Sequence, residues 1–269
     1  NNVQGEYYLT DVIGLAVKDG KKIITAQPEN TYEVEGVNDR IQLAKLERIN
    51  QHELAEAIMH EGVTLADPAR IDIRGELTIG NDSFIDINCI FNGKVSIGKN
   101  VSIGAGCVIS NSSLGDGCII HPYTVMDNTT IESNAEVGPF ARLRPGAHLK
   151  QNSKVGNFVE MKNSQLGNGS KVNHLSYIGD TEIGSSVNIG AGTITCNYDG
   201  ANKHKTIIKD GAFIGSDTQL VAPVTVGKNS TIGAGSTITR DTEDGELTLS
   251  RAAQKTVSGW QRPQKKRKQ

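Results

Sequence analysis

Residues 95–109 read VSIGKNVSIGAGCVI, and this stretch decides the fold. Isoleucine recurs in it every six positions, at Ile97, Ile103 and Ile109, and glycine follows the first two. The spacing returns further along the chain at Val137, Leu143, Leu149 and Val155, and again at Ile214, Leu220, Val226, Ile232 and Ile238. A short fixed period of this kind is typical of a solenoid, in which each repeat packs only against its neighbours.

Each six-residue repeat supplies one short strand and one corner. The aliphatic anchor points inward, and a small residue four positions later packs at the corner. Three repeats close one coil of eighteen residues, and coils stack by parallel strand pairing about 4.8 Å apart. The pattern therefore predicts a mainly β fold, a parallel β-helix. In this frame Cys89, Cys107 and Cys118 fill inward slots, whereas Cys196 borders an irregular loop where a thiol could be reached.

Composition limits the possible functions. The 269 residues carry a formal net charge of −2, so no overall basic field favours nucleic acid as a partner. No apolar run reaches the roughly 18 residues of a membrane span. Four cysteines in a chain this long favour a reducing cytoplasm over a disulfide framework. The start at Asn1, without methionine, suggests a piece of a longer protein.

Two segments precede the β-helix, which we place at residues 68–269. Residues 1–37 mix short apolar runs with turns, and we interpret them as the end of an α/β domain. A short helix is expected near residues 9–15, and strands are expected at 23–26 and 32–34. Residues 38–67 are interpreted as a linker helix, because Asp39 can cap it and apolar residues recur near helical spacing.

The longest interruption of the repeat is TCNYDGANKHKTI at residues 195–207. Asn197, Tyr198 and Lys203 lie on the loop that this insertion must form. A tolerated surface insertion is one reading. The tyrosine and the several cations favour a ligand site, because function concentrates where a regular scaffold is interrupted.

Arg144 and Lys162 are eighteen residues apart, and each directly follows an anchor. They are therefore expected to stack one coil apart on the outer surface. Two cations about 5 Å apart repel by roughly 3 kcal/mol at an effective dielectric near 20. Either the long side chains splay into water, or an anion such as phosphate bridges them.

His174 comes two residues after the anchor Val172 and is expected to point outward. A neutral imidazole near physiological pH can take a proton from a reacting amine. Alone this signal is weak, because a chain with six histidines is expected to expose several of them.

Longer motifs resemble one enzyme family, and the resemblance covers essentially the whole chain. They are PFARLRPGA (139–147), VGNFVEMKNS (155–164), HLSYIGD (174–180), NIGAGTITCNYDGANKHKT (188–206), GSDTQLVAPV (215–224) and SGWQRP (258–263). The chain resembles the bacterial bifunctional enzymes that are both N-acetylglucosamine-1-phosphate uridyltransferases and glucosamine-1-phosphate N-acetyltransferases. The resemblance implies a left-handed β-helix in a cytoplasmic homotrimer, with acetyltransferase sites between subunits and no nucleic acid or membrane partner.

The resemblance also implies a reaction and roles for particular residues. The acetyl group of acetyl-CoA would pass to the amino group of glucosamine-1-phosphate, giving a precursor of UDP-N-acetylglucosamine and so of peptidoglycan and lipopolysaccharide. His174 would be the general base. The sugar phosphate would be bound by Arg144, Lys162, Tyr177, Asn188 and Lys203. The acetyl-CoA site would include Ala191, Asn197, Tyr198, Ser216, Ala234 and Arg251, and the stretch from Arg251 to Trp260 would pack on a neighbouring subunit.

The first segment resembles the end of the uridyltransferase domain. EVEGVND (33–39) contains Asn38, which would bind Mg²⁺ with the product nucleotide in the family. The glycine-rich nucleotide loop and the aspartate metal ligand of that domain do not occur in this sequence. We therefore expect no uridyltransferase activity from this chain, although the intact protein would transfer UMP from UTP.

Two other classes of function are weighed against the acetyltransferase. A structural or ice-binding β-helix would need flat ladders of threonine, whereas the outer positions here are varied and a charged loop interrupts them. A hexapeptide enzyme with another acyl acceptor or a zinc site is the third class. Zinc would need histidines at coil spacings, and His148 and His174 are 26 residues apart.

Overall fold

The computed structural model describes Gly5 and residues 8–263, in two compact units, Asn1–Ile49 and Asn50–Gln269. In the first unit the expected short helix is confirmed as α1, Asp11–Lys18. The expected strands are wrong, because residues 23–26 have no regular structure and Thr31–Val34 is a 3₁₀ helix. The Glu33 side chain accepts the N–H of Asn30 at 2.8 Å there, and this capping box favours a helical turn over a strand.

The segment expected to be a linker, residues 38–67, contains a helix as predicted, α2, Arg40–His60. Its predicted cap is present, since Asp39 Oδ1 accepts the N–H groups of Ile41 and Gln42 at 2.9 and 2.8 Å. In the second unit, the side chain of Gln51 is buried and donates to the carbonyl of Ile73 at 2.8 Å. The Gln51 oxygen accepts the Ile73 N–H at 2.7 Å, so the helix is bonded to the first coil.

The coils that follow have three faces, A, B and C, and every pairing between their strands is parallel, as predicted. A short 3₁₀ helix, Pro68–Arg70, precedes two long strands, Ile71–Ile79 and Cys89–Ile97, which run through faces B and C. Face A consists of Thr64–Leu65, Phe84–Ile85, Ser102–Ile103, Ile119–Ile120, Glu136–Val137, Lys154–Asn157, Lys171–His174, Asn188–Ile189, Phe213–Ile214, Thr231–Ile232 and Leu247–Thr248. The other strands of face B are Val108–Ser110, Val125–Asp127, Arg142–Leu143, Glu160–Lys162, Tyr177–Gly179, Ile194–Cys196, Gln219–Val221 and Thr237–Ile238. Those of face C are Ser113–Leu114, Thr130–Ile131, His148–Leu149, Gln165–Leu166, Thr181–Ile183, Thr206–Ile208 and Val224–Val226.

Coil length differs from the prediction. Glu136 pairs with Lys154, eighteen residues on, but Ser102 pairs with Ile119, only seventeen residues on. The shorter coils lose one residue at the corner between faces B and C. One residue in the left-handed conformation turns the chain at each such short corner, at Asn111, Asn128, Asn163 and Asp180, with φ between 45° and 49°. Asn and Asp tolerate this conformation better than other non-glycine residues.

The core lies inside the coils and is made of the predicted anchors. Cys89, Cys107 and Cys118 are buried at the corner positions, which confirms the expectation for these thiols. Burial raises the pKa of the Cys118 thiol, as expected for a group that packs rather than reacts. Cys196 is half-buried. None of the helices within residues 8–263 is long and apolar enough to cross a membrane.

Candidate functional site

His174 ends a strand of face A at the corner before face B, and its side chain is exposed as predicted. Strand pairing places Asn157 directly beside it in the preceding coil, with Asn157 Oδ1 2.8 Å from His174 Nδ1. A ring nitrogen that faces an amide oxygen is the one that carries the proton in neutral imidazole. The other nitrogen, Nε2, therefore keeps its lone pair and can accept a proton.

The residues expected around acetyl-CoA continue from His174 along the same corner. The carbonyl of His174 accepts the N–H of Gly192 at 3.3 Å, and the carbonyl of Ala191 accepts that of Asp217 at 2.8 Å. One coil further on, Ser216 O accepts the N–H of Gly235 at 2.8 Å. The column of His174, Ala191, Ser216 and Ala234 spans three coil steps, about 14 Å. At the far end of the column, Arg251 Nη1 donates a hydrogen bond to Ala234 O at 2.6 Å.

Two further predicted residues lie on either side of this corner. Tyr177 begins the next strand of face B, and Asn188 lies on face A, paired with Lys171. A Cβ atom at Gly179 would lie 2.5 Å from the Tyr177 hydroxyl oxygen and 2.7 Å from Asn197 Nδ2. The missing side chain therefore lets the tyrosine and the loop amide approach each other over Gly179.

The predicted stacking of Arg144 and Lys162 is confirmed by the register, which pairs Leu143 with Met161. The sequence analysis missed Glu160, which lies on the same outer face. Arg144 Nη1 donates to Glu160 Oε1 at 2.7 Å, and both side chains are partly exposed. Arg144 therefore has a resident counter-ion, and the repulsion expected from the sequence is partly offset.

Lys203 reaches from the loop to Lys162. Contact with Lys162 and its positive charge lower the pKa of the Lys203 ammonium, while the nearby Asp180 and Tyr177 act in the opposite direction. Two adjacent cations with an open side towards solvent can bind an oxyanion. Lys162, Lys203 and the Arg144–Glu160 pair could together bind such an anion, and these four residues are called the anion set below.

The loop at residues 197–205 is a small hairpin that projects from the coils, as predicted. Tyr198 pairs with Lys203 in an isolated antiparallel bridge. Asp199 Oδ1 accepts the N–H of Asn202 at 2.6 Å, and Asp199 Oδ2 lies 2.7 Å from His204 Nε2. Two hydrogen bonds hold the pKa of Asp199 well below its ordinary value, and the bond from the Asn202 N–H contributes more than the one from His204. The loop thus has internal order of its own.

Asn197 differs from the other loop residues because its side chain is buried, with 7% exposed. Its amide donates to Asp180 Oδ2 at 2.5 Å. On the face C side of the loop lies a cleft of about 430 Å³, lined in part by His148, Gln165 and Lys205. Asn197 therefore lies at the base of the loop, bonded to Asp180, which itself lines this cleft.

The expected magnesium ligand does not have the surroundings of a metal site. Asn38 is exposed, and its N–H donates to Gln42 Oε1 at 2.7 Å. Among the residues that the structure describes, no three His, Cys, Asp or Glu side chains lie close enough to hold a metal ion. One amide oxygen is not a Mg²⁺ donor set, so no step is assigned to a metal here.

Comparison with known proteins identifies the relatives of this chain. A family model described as "GMPPB C-terminal domain" matches residues 73–144, and one described as "Bacterial transferase hexapeptide (six repeats)" matches residues 205–240. The "Bifunctional protein GlmU" of Marinobacter nauticus is 57% identical over 265 residues, which are 98% of this chain and 58% of that protein. The chain thus spans a little over half the length of this relative.

Solved structures with similar coils are more distant. The UDP-N-acetylglucosamine acyltransferase of Campylobacter jejuni is 19% identical, with a TM-score of 0.42 over 59% of this chain and 67% of that one. The enzyme of the same name from Francisella novicida is 16% identical, with a TM-score of 0.36 over 70% and 67%. At these TM-scores the two likenesses support no inference.

Proposed function

Since this chain belongs to the family of the bifunctional protein GlmU, we propose that it is the acetyl-transferring part of such an enzyme. It moves the acetyl group of acetyl-CoA to the amino group of glucosamine-1-phosphate, giving N-acetylglucosamine-1-phosphate and free CoA. The observation that carries this proposal is the exposed His174, whose Nδ1 faces Asn157 at 2.8 Å and whose Nε2 is free to take a proton.

The chemistry follows from that tautomer. His174 Nε2 removes a proton from the amino group of the sugar, and the nitrogen lone pair attacks the thioester carbonyl. The carbonyl π electrons move to oxygen, return as the C–S bond breaks, and CoA leaves as the thiolate, which then takes up a proton. The His174–Ala234 column would receive the thiol arm of acetyl-CoA, and the exposed Ser216 on it offers a hydroxyl donor.

The anion set would bind the acetyl acceptor, glucosamine-1-phosphate, through its phosphate. Lys162 and Lys203 receive the phosphate, Arg144 adds a planar donor, and Tyr177 and Asn188 hold the sugar between the phosphate and the base. Tyr198 and Arg251 complete the acetyl-CoA side, together with Ala191, Asn197, Ser216 and Ala234. These assignments rest on the family motifs and on the location of most of these residues on face B and its two corners; Asn188 lies on the adjacent face A.

The proposal is tested by incubating the purified chain with acetyl-CoA and glucosamine-1-phosphate and following the release of free thiol. We expect one thiol per N-acetylglucosamine-1-phosphate formed. Glucosamine without phosphate should be a much poorer acceptor, because it makes no contact with the anion set. Thiol release that does not depend on the amino sugar would contradict the proposal.

We propose further that the chain forms a homotrimer through the corner between faces A and B. Tyr123, Phe140 and Phe158 stack there in successive coils, with ring centroids 5.2 and 5.4 Å apart. They are 56%, 49% and 55% exposed and have φ values of 54° to 60°. A left-handed backbone is costly for a bulky residue. Exposed aromatic rings retained at that cost support a surface covered by another subunit, next to His174.

The trimer is tested by sedimentation of a Phe140→Asn/Phe158→Asn variant. Asparagine keeps the left-handed corner but removes the rings. We expect the original chain to sediment at about three times 28.8 kDa and the variant to dissociate towards 28.8 kDa. Ile207→Asn, a matched loss of an exposed apolar side chain on face C, should leave the trimer intact. A monomeric original chain would overturn the assignment.

The remaining assignments concern the whole protein. Residues 1–37 are proposed as the end of a uridyltransferase domain, and Asn38, which directly follows them, is proposed to contribute to the Mg²⁺ site of the longer protein. A cytoplasmic location is proposed from the nature of the nucleotide and thioester substrates.

A further inference from the structure

Among the four short corners, Asp180 is exceptional. The other three are Asn111, Asn128 and Asn163, and all four have nearly the same backbone conformation, with φ between 45° and 49°. Asparagine therefore satisfies the backbone at this corner, and the turn itself does not require a carboxylate. The negative charge of Asp180 must serve something outside the turn.

The contacts of Asp180 point to the loop. Its Oδ2 accepts the buried amide of Asn197, where the loop begins, and its main-chain carbonyl accepts the N–H of Thr206, where the loop ends, at 3.2 Å. Its Oδ1 accepts the amide of Asn163 in the coil before, at 2.6 Å. One residue thus holds both ends of the 197–205 loop to the coils.

The same carboxylate faces the anion set. Burial acts to raise the pKa of Asp180, but the bonds from Asn163 and Asn197 and the charges of Lys162 and Lys203 outweigh it and leave the pKa below its ordinary value. The group is therefore ionised at neutral pH. Its charge acts on two lysines that repel each other, Lys162 from the coil and Lys203 from the loop.

We infer that Asp180 is a positioning residue for the phosphate-bearing acceptor: it holds Lys203 near Lys162 by anchoring both ends of the loop that carries Lys203. It need not touch the substrate or the reacting atoms. Without it, mutual repulsion would drive Lys203 away from Lys162, and the incoming phosphate would have to order the loop itself. This inference rests on the proposed acetyltransferase function.

The test is Asp180→Asn, which removes the negative charge. Asparagine should adopt the same backbone conformation, because it already does so at the three equivalent corners. We expect the KM for glucosamine-1-phosphate to rise about tenfold, the loss of one charged contact. The kcat at saturating acceptor and the melting temperature should change little. With glucosamine lacking phosphate, and with acetyl-CoA saturating because the loop also carries Asn197 and Tyr198, kcat/KM for the acceptor should fall much less, since that acceptor does not use the two lysines. Asp82→Asn, at another left-handed corner (φ 60°), is the matched control and should have no effect.

A second readout does not depend on activity. Hydrogen exchange of residues 197–205 should be faster in Asp180→Asn than in the original chain, and inorganic phosphate should slow it in the original chain more than in the variant. Equal losses of kcat/KM with both acceptors, or unchanged exchange in the loop, would overturn the role of Asp180. If the original chain acetylates neither amino sugar, the proposed function fails, and the exchange experiment alone then decides the inference.

Discussion

His174→Ala will lower kcat for acetyl transfer by about 10²- to 10⁴-fold, the contribution usual for a positioned general base. His174 is the only residue of the proposed column with a basic side chain, and alanine leaves nothing there that can take the proton of the amino group. The KM for acetyl-CoA should stay within about a factor of two, since the rest of the column is untouched. Steady-state thiol release at saturating substrates measures both quantities.

His60→Ala, at the end of α2, is the matched control and should turn over like the original chain. The pH profile adds a second check. In the original chain kcat/KM should fall at acidic pH as the base becomes protonated, and this decrease should be absent from the residual activity of His174→Ala. Turnover by His174→Ala equal to that of the control would exclude His174 as the base.

Arg144→Ala will weaken binding of glucosamine-1-phosphate by about 10- to 100-fold, as expected for a charge-assisted contact. The substitution has two effects, because it removes a donor and leaves Glu160 without its partner, 2.7 Å from where the guanidinium was. An unpaired carboxylate beside the anion set repels the phosphate. Glucosamine without phosphate should lose little affinity, and calorimetric titration of both sugars measures the difference.

The double variant Arg144→Ala/Glu160→Ala separates these two effects. With the carboxylate also removed, part of the affinity for glucosamine-1-phosphate should return. If Arg144→Ala weakens both sugars equally, Arg144 does not act on the phosphate. If the double variant binds no better than the single one, Glu160 does not oppose the ligand.

The β-helix was predictable because its period repeats many times and each anchor must be buried. Coil length was not, because a corner can turn with one residue fewer when Asn or Asp adopts the left-handed conformation, as at Asn128. Residues 23–26 and 32–34 were misassigned as strands. Short apolar runs do not specify a strand without a partner, and the local capping box at Asn30 and Glu33 favoured a turn of helix.

The placement of the candidate residues was predictable where register is simple. Arg144 and Lys162 were correctly stacked because their coil has the full eighteen residues. Asn157 and Asp180 were missed because their partners lie seventeen residues away, so an eighteen-residue frame misplaces them. Hydrogen bonds between coils depend on register, and one residue at a corner changes every partner beyond it.

The pairing of Gln51 with Ile73 has a consequence for how the protein behaves at high concentration. A stack of parallel strands ends in a row of unused N–H and C=O groups, which is a template for the strand of another molecule. The amide of Gln51 occupies both main-chain groups of Ile73. These two groups are therefore not available to the strand of another molecule, because the side-chain amide of Gln51 bonds them as a neighbouring peptide group would.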